Sequence, residues 1–139
     1  MDIAELGAQF KEATTEGQFE MLDPFGGKTD LVLAIAGPYS YARREARFKY
    51  QDALRELQGN YSRPKHVAAN DLEKIEDEYL AAHVVGWHGL TNEGSPVVRT
   101  DQEALVLLRR APWLRAQVHK IVNDEKAFLQ HIQKKTPLK

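Results

Sequence analysis

The stretch Asp30-Leu31-Val32-Leu33-Ala34-Ile35-Ala36-Gly37-Pro38-Tyr39-Ser40 decides how the chain is read. From Leu31 to Ala36 every residue is apolar, which predicts a short strand covered on both faces and therefore buried. Gly37-Pro38 ends that strand, and the Ser40 hydroxyl can accept a hydrogen bond from an exposed N–H in the first turn of the helix that follows. Upstream, Phe19-Glu20-Met21-Leu22-Asp23 lies across the turn-rich segment Pro24-Phe25-Gly26-Gly27-Lys28-Thr29, and two apolar runs around such a turn read as a β-hairpin. Before it, Ile3, Leu6 and Phe10 predict a short amphipathic helix over 2–13, stopped by Thr14-Thr15-Glu16-Gly17.

Downstream, Ala46, Tyr50, Ala53, Leu54 and Leu57 form the apolar stripe of a helix running to about Gln58. Gly59-Asn60 stops it, and the loop to Ala69 contains Pro64. Asn70 followed by Glu73 is a candidate N-cap, and Leu72, Ile75, Tyr79, Leu80 and Val84 carry a third helix over about 71–85. Gly86-Trp87-His88-Gly89-Leu90 then leads into Thr91-Asn92-Glu93-Gly94-Ser95-Pro96, a tight turn between short extended pieces. Thr100 and Glu103 make a capping box for a helix bearing Leu105 and Leu108. Ala111-Pro112 breaks that helix, with proline suited to the first position of the next. Leu114, Val118, Ile121, Phe128 and Ile132, widened by Val122 and Leu129, then predict one continuous last helix, and a loose tail is expected over about 133–139. The expected fold is mainly α: one small helical domain over 1–139, with about four to five helices and a short β-hairpin near its N-terminus.

At 139 residues the chain has the usual length of one domain, and 42% hydrophobic residues suffice for a core. Nineteen Lys+Arg against 20 Asp+Glu leave a net charge of -1, which removes a global electrostatic case for nucleic acid. Without cysteine there is no disulfide, thiolate zinc site or cysteine nucleophile. The longest uncharged stretch, Leu31 to Ala42, is shorter than the roughly 20 apolar residues that span a bilayer, and Met1-Asp2-Ile3-Ala4-Glu5 lacks the start of a secretion signal. Neither membrane insertion nor secretion is expected.

Catalytic signatures are weak. Gly27-Lys28-Thr29 suggests a phosphate loop, but that loop needs a glycine where Leu22 stands. His66, His83, His88, His119 and His131 lack the spacing that puts two imidazoles on one helical face, apart from His83 and His88 across a break at Gly86, so no metal is expected. Asp71, Glu73, Glu76, Asp77 and Glu78 read as a solvated acidic helix surface. Ser62 and Ser95 lack a nucleophile elbow. Arg43, Arg44, Arg47 and Lys49, interleaved with Tyr41 and Phe48, are the best local case for nucleic acid, diluted by Glu45, Asp52 and Glu56. Trp87 and Trp113 each follow a helix breaker, at positions suited to core packing or to anchoring a partner.

The order of these motifs resembles the tail assembly chaperones of long-tailed bacteriophages. The likeness rests on a hairpin ending in Gly37-Pro38-Tyr39-Ser40 and a helix, a further helix running into Val84-Val85-Gly86-Trp87-His88-Gly89-Leu90, and the turn Asn92-Glu93-Gly94-Ser95-Pro96. It continues through Ala104-Leu105, Leu107-Leu108, Pro112-Trp113-Leu114, Gln117-Val118 and Phe128, and covers roughly residues 20–130. Where family members often carry an acidic residue after the tryptophan, this chain has His88. The resemblance implies a non-enzymatic, cofactor-free protein of the host bacterial cytoplasm. Such a protein binds the tape-measure protein, keeps it soluble, gives way to polymerising tail tube protein, and is absent from the mature virion. Many copies on one client would favour a homo-oligomer. Trp87, Trp113, Leu114 and Val118 are the expected fold-critical or client-facing positions, with Arg43, Arg44 and Arg47 as an electrostatic rim. The competing expectations are a nucleic-acid-binding regulator using helix 40–58 and a structural tail-completion or connector protein.

Overall fold

Leu33 and Ile35, both fully buried, project from one face of a central strand, and the rest of the molecule is arranged around them. The computed structural model describes residues 3, 5, 11–59 and 69–135. The elements are α1 (Lys11–Thr14), β1 (Glu16–Leu22), β2 (Lys28–Ala36), α2 (Tyr41–Gly59), α3 (Ala69–His83), β3 (Val84–His88), β4 (Thr91–Asn92), β5 (Ser95–Pro96), α4 (Asp101–Arg110), α5 (Pro112–Asn123) and α6 (Glu125–Lys135).

The hairpin forms as the sequence predicts. Asp23 holds its turn: one carboxylate oxygen accepts from the Phe25 and Gly27 amides at 2.9 and 2.7 Å, and Gly26 takes the left-handed conformation the turn requires. The two strands pair antiparallel with Phe19 opposite Leu33 and Gly17 opposite Ile35. The other edge of β2 is also occupied. Val84–His88, which the sequence reading divided between the end of a helix and a short extended piece leading into a turn, is a third antiparallel strand of the sheet, with Trp87 opposite Leu33 and Gly86 opposite Ala34. That pairing places β2 centrally and accounts for its two-faced apolar composition.

Phe19, Met21, Leu33, Ile35 and Val84 from the sheet meet Leu80, Ala104, Leu108, Leu114, Val118, Val122 and Phe128 from the helices in one core. Helix starts follow the expected chemistry. Ser40 Oγ accepts from the Arg43 amide at 3.1 Å, Thr100 accepts from the Glu103 amide at 3.1 Å, and Pro112 occupies the first turn of α5. Asn70 lies inside α3 rather than ahead of it. Gly89 closes the sheet end with φ +85, and a Cβ there would stand 2.2 Å from the Asp30 carbonyl oxygen.

Two further expectations are corrected. The last helix is not continuous: the backbone breaks at Asp124 (φ -124, ψ 80), whose carboxylate accepts from the Ala127 amide at 3.0 Å and starts a new helix. The described residues therefore contain six helical segments rather than about four to five. Residues 133–135 complete α6 instead of beginning a loose tail, while 136–139 lie outside the described residues. Leu6 and Phe10 of the expected first helix, and the loop containing Ser62, Pro64 and His66, also lie outside them.

Candidate functional site

Helices α2 and α4 both pack against α3. Between them lies a groove of about 580 Å³. Ala42 and Ala46 are one helical turn apart on α2, so they share a face, and that face meets Ala81 and Ala82 at the end of α3 and Val85 of β3. Tyr41, Glu45 and Lys49 form the wall on α2, while Asp101, Gln102 and Leu105 form the wall at the start of α4. Small side chains on the floor let another backbone come close, because interhelical distance is set by the side chains at the contact.

The groove is framed rigidly at one end. Arg99 donates through Nε to the Val84 carbonyl at 2.8 Å and through Nη2 to the Ala81 carbonyl at 3.3 Å, while Nη1 pairs with the Asp101 carboxylate. This one side chain ties the end of α3 to β3 and to the start of α4. At the other wall, hydrogen bonding to Glu45 and its negative charge raise the Tyr41 phenol above its ordinary value. The rim thus mixes both signs over an apolar floor.

None of the residues expected from sequence to face a client or form its rim lines this groove, although Tyr41, Glu45 and Lys49 of the basic helix and Glu78 of the acidic surface do. Leu114 and Val118 are buried in the main core and present no accessible surface. Trp87 is half-buried against that core and donates its indole N–H to the Val97 carbonyl at 2.8 Å. Trp113, in the first turn of α5, is 41% exposed. Arg43 does not belong to an electrostatic rim. It is buried and donates to the Val122 and Ala36 carbonyls at 3.1 and 3.2 Å, because its place in the first turn of α2 faces the end of α5. Arg44 and Arg47 are exposed, with the Arg44 guanidinium carbon 5.4 Å from the centre of the Phe48 ring. Signals for the groove existed in the Ala42/Ala46 spacing and the Ala81-Ala82 pair, but alanine on a helix reads equally well as ordinary packing.

The acidic surface of α3 is also revised. Asp77 is buried, with one carboxylate oxygen accepting from Arg115 Nε at 2.6 Å and the other 3.6 Å from Arg109 Nε. It is a tie between α3, α4 and α5. In the hairpin turn the amides that a phosphate would need are taken by the Asp23 carboxylate, and Lys28 and Thr29 belong to β2. Among the described residues no group of three His, Asp or Glu side chains is placed to hold a metal, and no helix is long and apolar enough to cross a membrane. His83 is fully buried and joins Tyr79 through Nδ1 and the backbone carbonyl at 2.8 Å. In comparisons with family models, curated proteins and solved structures, the chain matches none.

Proposed function

We propose that this chain is a non-enzymatic tail assembly chaperone of a long-tailed bacteriophage. In this reading it binds the tape-measure protein in the host cytoplasm and keeps that client soluble. It leaves as tail tube protein polymerises, so the mature virion does not contain it. The order of motifs from Gly37-Pro38 to Phe128 supports the reading, and the groove between α2, α3 and α4 is the observation that carries it. An alanine floor with charged walls suits an amphipathic helix laid into it, a recognition mode that needs neither cofactor nor catalytic residue. Exposed Trp113 offers a second apolar contact outside the groove. Several copies would line one extended client, so self-association on the client is part of the proposal.

The test is co-expression with the long helical tape-measure protein, followed by affinity capture and light scattering. Soluble complexes with many copies per client are expected where the client alone aggregates. Ala82→Arg places a long cationic side chain over the groove floor from a half-buried position, and should cut client recovery at least tenfold while leaving the circular dichroism spectrum unchanged. A folded wild-type chain that recovers no client would sink the proposal. Salt-dependent nucleic-acid binding lost in an Arg44→Ala, Arg47→Ala double variant would replace it with the regulator, and detection of the chain in purified virions would replace it with the connector.

A further inference from the structure

Strand β1 is an edge of the sheet, and an edge strand offers unpaired backbone groups to any other chain. In an antiparallel pair, alternate residues turn both N–H and C=O away from their neighbour strand. On β1 the outward groups of Leu22 and the Gln18 carbonyl are met by helix side chains. The Gln117 carboxamide of α5 accepts from the Leu22 N–H at 2.9 Å and donates to the Leu22 C=O at 2.9 Å, supplying the pair of bonds that a strand residue would supply. The same Nε2 also donates to the Trp113 carbonyl at 3.0 Å, which fixes the amide in place. Four residues back along the strand, His131 Nε2 of α6 donates to the Gln18 carbonyl at 2.7 Å, with the imidazole stacked on Phe19 at 4.2 Å between ring centres.

The geometry points to Gln117 and His131 acting together as a plug that closes the β1 edge to strand addition by a second copy of this chain. Between the two plugs, Glu20 borders an open groove of about 460 Å³, and among the described residues its backbone makes no hydrogen bond outside the β1–β2 ladder. One unpaired residue between two occupied ones is too short for an incoming strand to register. Removing both plugs takes the imidazole off the Gln18 carbonyl and the carboxamide off both Leu22 groups, on either side of Glu20, over about 13 Å of strand. This inference is independent of the client reading, since it concerns contacts between copies of the free chain.

Two measurements test it. In the wild-type chain, hydrogen exchange should be at least tenfold slower at the Leu22 amide than at the Glu20 amide; equal rates would overturn the plug. In a Gln117→Ala, His131→Ala double variant that keeps the wild-type circular dichroism spectrum, light scattering after size exclusion should show the average mass rising at least twofold with concentration beyond that of the wild type. Adding Glu20→Pro, which removes an outward N–H where an edge strand tolerates proline, should return the mass to the wild-type value. A folded double variant with wild-type mass, or association that Glu20→Pro leaves intact, overturns the inference. Should that double variant fail to fold, a Gln117→Ala, His131→Leu double variant keeps an apolar contact on Phe19 while removing the polar groups of both plugs. That variant is then expected to give the same concentration-dependent mass, and its absence is a refutation.

Discussion

Arg43 and Arg44 are neighbours in sequence and opposites in role. Arg44 faces solvent across Phe48, whereas Arg43 carries its charge into the junction of β2, α2 and α5. Burial pushes the Arg43 guanidinium below its ordinary value, with the Tyr79 and Glu125 charges opposing that shift. Its two carbonyl partners lie at the end of β2 and the end of α5, where backbone acceptors run out of intra-element donors. Arg43→Ala should therefore lower unfolding free energy by roughly 3 kcal/mol in urea titrations, and Arg43→Lys by about half as much, because lysine can reach one carbonyl at a time. Arg44→Ala, at an exposed position, should change stability by less than about 0.5 kcal/mol. Equal losses at 43 and 44 would refute the assignment. Sequence could not separate the two residues, since which of them faces inward depends on the angle at which α2 meets a helix nearly 80 residues later.

The break at Asp124 is the clearest case at the scale of the element. An apolar stripe passes from Ile121 to Phe128 with helical spacing, so periodicity alone runs straight through. The capping signal was nevertheless present, because Asn123-Asp124-Glu125 is the composition of a helix start. Ending α5 there lets α6 turn back over β1, where Phe128 is buried with its ring centre 5.0 Å from that of Phe19. Gly17 lies under that ring, and a Cβ added to it would stand 2.9 Å from the edge of Phe128. Asp124→Ala removes the cap and should cost about 1 kcal/mol, while Asp124→Ser should recover most of it. Thermal melts of the two variants, compared with Phe128→Ala at a cost of about 3–5 kcal/mol, rank the cap against the contact it enables. An Asp124→Ala variant as stable as the wild type would show that α6 is held by packing alone.

At the scale of the whole molecule, His83 couples folding to pH. It is buried against Tyr79, Nε2 has no hydrogen-bond partner among the described residues, and burial, reinforced by the Arg43 and Arg47 charges, pushes its pKa down to about 4 despite the Tyr79 carbonyl. The folded state thus resists a proton that the unfolded chain accepts near pH 6.5. Its contribution is full above pH 6.5 and falls away as pH drops towards 4, a loss on the order of 3 kcal/mol. Urea unfolding of the wild type and His83→Leu across that window should show the variant's stability declining less by about that amount. Parallel curves would exclude His83 as the source.

What the sequence determined by itself is what near neighbours along the chain decide. The hairpin at Asp23–Gly27, the caps at Ser40 and Thr100, and the proline start at Pro112 each depend on contacts within a few residues, and each was legible. A helix-rich chain with a small antiparallel sheet followed from those signals. Tertiary structure alone decided the third strand, the inward turn of Arg43 and Asp77, and the groove between α2 and α4. Val84–His88 becomes a strand because the free edge of β2 lies beside it, some fifty residues away along the chain. The groove exists because two helices separated by a third do not fill the space above it, a property of packing geometry that no local pattern of residues encodes.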